Sequence, residues 1–181
     1  MVATRPITVE QFEAMPLEGP WELVDGELIE VNPSAHESSM TAMQIGRLLG
    51  NHAVPKRLGS VSGADGGFVL FADRETVLVP DVAFVAAGRI PQGEEQKHFP
   101  RLAPDLVVEV LSPSDRMGGA LAKVALYLQA GVRLVWLVDP DEQTVIVFRP
   151  DATPEKLDAT MTLDGGDVLP GFSVPVAELF V

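Results

Sequence analysis

Pro104 to Asp115, PDLVVEVLSPSD, is the stretch on which the fold turns. Leu106 to Leu111 is an almost wholly apolar run of strand length, and such a run needs protein against both faces, which places it centrally in a sheet. Glu109 stands in its middle. A lone carboxylate buried there costs several kcal/mol, so it must be paired, protonated or bound to a cation. Side chains alternate along a strand, so Glu109 shares its face with Val107 and Leu111, while Val108 and Val110 face the other way.

Downstream, Ser114 or Asp115 is placed to cap a helix running to about Ala130, with Leu121, Val124, Ala125 and Leu128 on one stripe and Gly131 at its C-terminal stop. Val132 to Val138 reads as a second buried strand, Val145 to Phe148 as its partner after the Pro140-Asp141 turn, and the acidic tail as irregular or short-stranded. Upstream, Phe68 to Phe71 and Val77 to Val85 read as an antiparallel pair joined by Asp73-Arg74-Glu75. Apolar residues at near-helical spacing from Ser38 to Asn51, after the start signal Pro33-Ser34, give the first long helix. Trp21 to Val31, WELVDGELIEV, is a hairpin around Asp25-Gly26. Residues 7 to 15 form a short helix with Thr8 and Gln11 as a capping box and Pro16 as its stop. The expected order is αβββαβ, an α/β (α+β) arrangement of a mixed central sheet flanked by helices, with an N-terminal hairpin added.

The composition narrows the chemistry. A chain of 181 residues, 46% hydrophobic and 22% charged, suits one globular domain over residues 1 to 181. Absence of cysteine excludes disulfides, zinc ribbons and thiol nucleophiles, so any metal is oxygen- or histidine-bound. Met1 to Pro6 lacks the apolar stretch of a signal peptide and no run of about 18 apolar residues occurs, so a cytoplasmic location without membrane contact is expected. A net charge of −13 opposes non-specific attraction to nucleic acid. Basic residues nevertheless gather at Arg47, His52, Lys56 and Arg57, and again at Arg89, Lys97, His98 and Arg101; both groups read first as solvated surface charge. There is no G-x-S-x-G, G-x-x-x-x-G-K-[ST] or H-E-x-x-H pattern, and Gly63, Gly66 and Gly67 read as a strand turn.

Asp81 is a second acid among apolar neighbours. In VLVPDVAFV, residues 77 to 85, the proline marks an edge or bulge, so the strand bends and aims Asp81 out of the ladder. Two carboxylates on neighbouring strands form a hard-oxygen site suited to Mg²⁺ or Mn²⁺. Lys123, on the helix after the Glu109 strand, is the ammonium that would orient a nucleophile or stabilise developing negative charge on a phosphodiester. His36, just before the first long helix, is a further candidate for the metal or a phosphate, and Glu27 for the same site. Glu22 reads as a solvent-facing strand residue, Ser112 as a turn residue, and Tyr127, Trp136 and Asp139 as packing and turn residues.

Taken together, WELVDGELIEV, Pro33 to His36, VPDVAFV, PDLVVEVLSPSD and KVALYLQAGVRLVWLVDP resemble the Uma family of restriction-endonuclease-like proteins within the PD-(D/E)XK nuclease superfamily. The resemblance runs nearly end to end. It implies a restriction-endonuclease-like fold, with Asp81 as the aspartate of the PD motif and Glu109 as the acid of the following strand. One departure stands out: Leu111 occupies the place two residues after Glu109 where the superfamily usually has its lysine, so that role passes to Lys123. The implied activity is metal-dependent hydrolysis of DNA. The alternatives are a nuclease-like binding or assembly module without turnover, and hydrolysis of a small phosphodiester. Fold-level analogy adds a possible homodimer.

Overall fold

The computed structural model describes residues 6–180. Met1 to Arg5, part of the segment read for a leader, and Val181 lie outside the described residues. In chain order the elements are α1 (Val9–Ala14), β1 (Trp21–Val24), β2 (Glu27–Glu30), α2 (His36–Ala53), β3 (Gly59–Gly63), β4 (Phe68–Phe71), β5 (Thr76–Leu78), β6 (Val82–Ala86), β7 (Leu106–Val110), α3 (Met117–Gln129), β8 (Leu134–Asp139), β9 (Thr144–Phe148), β10 (Glu155–Leu157), β11 (Thr162–Asp164) and β12 (Ser173–Pro175).

A six-stranded sheet in the order β10-β9-β8-β7-β6-β3 forms the centre of the fold. It is mixed because β7 and β8 run parallel, Glu109 lying against Leu137, whereas the other neighbours are antiparallel. Parallel neighbours need a crossover, and α3 supplies it. Leu106, Val108 and Val110 face α2, where Ala42, Ile45, Leu49 and Ala53 recur at helical spacing. Val107, Val135 and Leu137 face Val124 and Tyr127 of α3. The alternation expected around Glu109 is therefore observed, and its face is the α3 face. Four buried apolar strand residues, facing both sides of the sheet, hold β7 so firmly that the position of Glu109 has little freedom.

A second sheet, β2-β1-β5-β4, covers the same side through Val24, Leu70 and Leu78. Its hairpin turns as expected, with Asp25 and Gly26 both at positive φ (51° and 78°), the type I′ geometry that glycine accepts without strain. The capping box on α1 is present, Thr8 Oγ1 accepting from Gln11 and Gln11 Oε1 from Thr8. Gly131, at φ 96°, ends the α3 segment.

Three local expectations need correction. The run from Val77 to Val85 is not one bent strand: it breaks at Pro80-Asp81, β5 pairing with β4 in the second sheet and β6 entering the central one. The αβββαβ order survives because β3, which was not anticipated, takes a place beside β6. Helix α3 starts only at Met117, with neither Ser114 nor Asp115 capping it; Asp115 instead accepts the Ser112 amide at 2.7 Å. Gly63 and Gly66 do close a strand turn, the Gly66 N–H donating to the Gly63 carbonyl at 3.1 Å. Among the described residues, no helix is long and apolar enough to cross a membrane.

Candidate active site

Four elements converge at the C-terminal half of β7. Glu109, 9% exposed, points from β7 toward α3. On that helix Lys123 and Tyr127 are one turn apart, so their side chains share a face. Lys123 Nζ lies 2.9 Å from Glu109 Oε1 and donates to Oε2 at 3.0 Å, and the Tyr127 hydroxyl donates to Oε1 at 2.6 Å. The chain break that splits the expected strand delivers Asp81. The register setting Val82 against Val108 brings Asp81 alongside Glu109, and Asp81 Oδ2 accepts the Val110 amide at 2.7 Å.

Asp81, Glu109 and Lys123 are thus brought together, and Glu22 of β1 joins them. Its carboxylate, read from the sequence as solvent-facing, is 4% exposed; Oε1 accepts the Val79 amide at 2.9 Å and lies 2.9 Å from Lys123 Nζ. The reason is that β1 is an interior strand of the second sheet, with its Glu22 and Val24 face turned toward α3. Tyr127, read as packing, is fully buried and also binds Glu109. Its spacing of four from Lys123 was a usable signal, whereas nothing local distinguishes Glu22 from an exposed strand acid.

Glu27 and His36 do not join this group. Glu27 sits opposite Val24 on the outer strand at the turn end of the hairpin, where it is exposed. His36 is the exposed first residue of α2 and makes none of the site's hydrogen bonds; Ser38 is what fixes that helix end, donating to the Leu111 carbonyl at 2.8 Å. The second basic group is largely matched by acids or carbonyls, Arg101 with Glu10, Lys97 with Glu94, and Arg89 with Asp105 and the Ala103 carbonyl.

The electrostatics are unbalanced. Burial pushes the Glu109 carboxyl up to about 7; the Lys123 charge opposes this, and the Asp81 and Glu22 charges reinforce it. Burial also raises Asp81, against the Val110 hydrogen bond. For Lys123, burial alone would lower the ammonium, but Glu109 and Glu22 together hold it above its ordinary value. Three carboxyl groups therefore share one ammonium. Among the described residues, no group of three or more His, Asp or Glu side chains is arranged to hold a metal ion. Two neighbouring carboxylates suffice for Mg²⁺, which keeps several waters and takes further oxygens from a substrate, and two excess negative charges suit a divalent cation. Asp81 and Glu109 fit that group.

A mixed sheet flanked by helices, with acids presented from adjacent central strands, defines a nuclease-like α+β protein. The Uma2 family model, described as "Putative restriction endonuclease", matches residues 9–177, and the chain belongs to that family. A solved structure described as a putative nuclease belonging to DUF820, from Anabaena variabilis ATCC 29413, superposes with a TM-score of 0.85 at 25% identity, covering 97% of this chain and 98% of that one. No curated protein matches the chain in sequence.

Proposed function

We propose that the protein is a Mg²⁺- or Mn²⁺-dependent endonuclease that hydrolyses phosphodiester bonds in DNA, with Asp81 and Glu109 as metal ligands and Lys123 as the catalytic cation. The observation that carries this reading is the Glu109–Lys123 contact. It offers an ammonium at the second acid although Leu111 occupies the usual lysine position.

When bound, the cation supplies Lewis acidity toward the phosphoryl group and its attacking water. Asp81 is held by the Val110 amide, so one carboxylate oxygen is fixed and the other is left for the cation. Glu109 is fixed by Lys123 and Tyr127, and Glu22 also holds Lys123, which leaves the ammonium little rotamer freedom. By turning one N–H from Glu109 to a phosphoryl oxygen, Lys123 would stabilise charge where it develops. Neither Glu27 nor His36 has a role in this scheme.

The test is cleavage of plasmid and oligonucleotide DNA with Mg²⁺, with Mn²⁺ and with chelator. Metal-dependent cleavage of either form that vanishes in Asp81→Asn and Glu109→Gln is expected. Mn²⁺ binding by calorimetry with no cleavage of DNA or RNA would instead favour a nuclease-like binding module.

A further inference from the structure

A groove of about 560 Å³ opens onto Asp81, and its walls carry an unusual chemistry for a site facing DNA. Phe12, Trp21 and Phe99 line it, and its charged members besides Asp81 are Glu13 and Asp65; neither lysine nor arginine lines it. Of the basic residues beyond it, His98 has its ring 3.7 Å from the groove's Glu13, and Arg101 is bound to Glu10 at 2.6 Å. Trp21 is half-buried, and its indole N–H donates to the Glu18 carbonyl at 3.0 Å, so the polar edge is satisfied and the ring is fixed. The ring packs on the Val9, Phe12 and Leu23 cluster and leaves part of its aromatic surface on the groove wall.

A duplex presents one phosphate charge per ~1.7 Å of axis and is held mainly by Lys and Arg along its backbone. This groove cannot supply them. A single strand carries phosphates as well, but its unpaired bases are neutral and accessible, and stacking one on an aromatic side chain contributes about 1–3 kcal/mol irrespective of sequence. The groove volume also falls in the range of about 300–1,000 Å³ typical of sites for small ligands, which suits one or two nucleotides. We infer that the groove receives unstacked bases of single-stranded DNA beside the scissile phosphodiester, Trp21 being the stacking platform. The substrate is then a single strand and not a duplex. This inference rests on the phosphodiesterase reading above, whose own test is independent of strandedness.

The experiment uses one mixed-sequence oligonucleotide, offered with Mn²⁺ as a single strand and as a blunt duplex, to the intact chain, Trp21→Ala and Trp21→Phe. Expected is turnover at least about tenfold faster on the single strand, with KM raised about tenfold by Trp21→Ala at little-changed kcat and restored by Trp21→Phe, as loss of one stacked base predicts. Tryptophan emission read in chelator reports binding without turnover. The other tryptophan, Trp136, is fully buried, so quenching by the single strand and not by the duplex reports Trp21. Equal cleavage of both forms, or a KM indifferent to Trp21, overturns the inference and leaves the phosphodiesterase reading in place. Quenching by the single strand without cleavage of either form overturns that reading and keeps the groove assignment. Neither quenching nor cleavage overturns both.

Discussion

Asp105 and Glu109 stand at opposite ends of one buried strand segment, and the protein treats them in opposite ways. Asp105 is 3% exposed, yet its carboxylate accepts the Ala86 amide at 2.8 Å, meets Arg89 at 2.8 Å and has Arg133 at 3.9 Å, the last shared with Asp167. One acid there faces two guanidinium groups. At the other end Glu109, Asp81 and Glu22 face a single Lys123. Burial of a charge is common to both ends, so burial alone identifies no function. The deficit of counter-charge is what separates the two ends, and the proposed metal site draws on it.

The sharpest way to break this contrast is to neutralise one acid at each end. Asp81→Asn and Glu109→Gln are each expected to lower metal-dependent nuclease turnover by about 10³-fold or more, which corresponds to about 4 kcal/mol in the barrier. Asp105→Asn, corrected for folded fraction, is expected to leave turnover within a few-fold. Equal losses at both ends in single-turnover assays would mean that the charge deficit does not mark the site.

A second prediction concerns stability against pH. Glu109 has its folded pKa raised from 4.5 to about 7, so between those values the folded chain holds a proton that the unfolded chain has released. The stabilising contribution is full below about 4.5 and is lost as pH rises through about 7, a loss of roughly 3 kcal/mol at most. Glu109→Gln abolishes the titration. Urea melts in chelator should therefore show the variant gaining on the parent at pH 8 and not at pH 4.5. Mn²⁺, if it binds ionised Asp81 and Glu109, should stabilise the parent more at pH 8 than at pH 5. A gain of stability at pH 8 on neutralising this partner of Lys123 would be unexpected of a structural ion pair, and it is the cost often seen at active sites. Constant Mn²⁺ stabilisation across this window would count against those two ligands.

At the well-neutralised end the expected effect is smaller and of opposite sign. Asp105→Ala removes the acceptor of the half-buried Ala86 amide, while Arg89 and Arg133, both nearly half exposed, can return to water. A loss of about 2 kcal/mol is expected, dominated by the orphaned amide. Chemical denaturation with unchanged m-value checks it.

The same contrast explains what could be seen in the sequence. Glu109 was legible because one acid interrupts a run that must be buried, and strand alternation then chose its face. Asp81 was legible through Pro80, although the proline ends a strand and passes the chain between sheets where only a bend was expected. Glu22 was not legible: in WELVDGELIEV it alternates with Trp21 and Leu23 as an exposed acid would. Only the addition of β5 beside β1, from residues more than fifty positions away, buries its face against α3. Strand β3, GSVSG, lacks an apolar alternation and exists through its pairing with β6. Local pattern thus reported the acids whose own segment is anomalous and missed those whose burial comes from elsewhere.

Tyr127→Phe gives the smallest effect and the finest division between the two ends. The hydroxyl donates to Glu109 Oε1 at 2.6 Å and, with burial and the neighbouring acids raising its pKa well above the ordinary value, keeps its proton throughout the working range. Its hydrogen bond favours the ionised carboxylate, so removing it pushes Glu109 further up than about 7. The acid limb of the pH–rate profile should therefore move to higher pH, with about 1 kcal/mol of stability lost at pH 8 and less at pH 5, where Glu109 is already protonated. A tyrosine that merely fills space between α3 and β7 would cost stability equally at both pH values and leave the profile unmoved. Asp105 has no such hydroxyl and is met by two guanidinium groups, so a displaced profile would assign the tuning to the under-neutralised end alone.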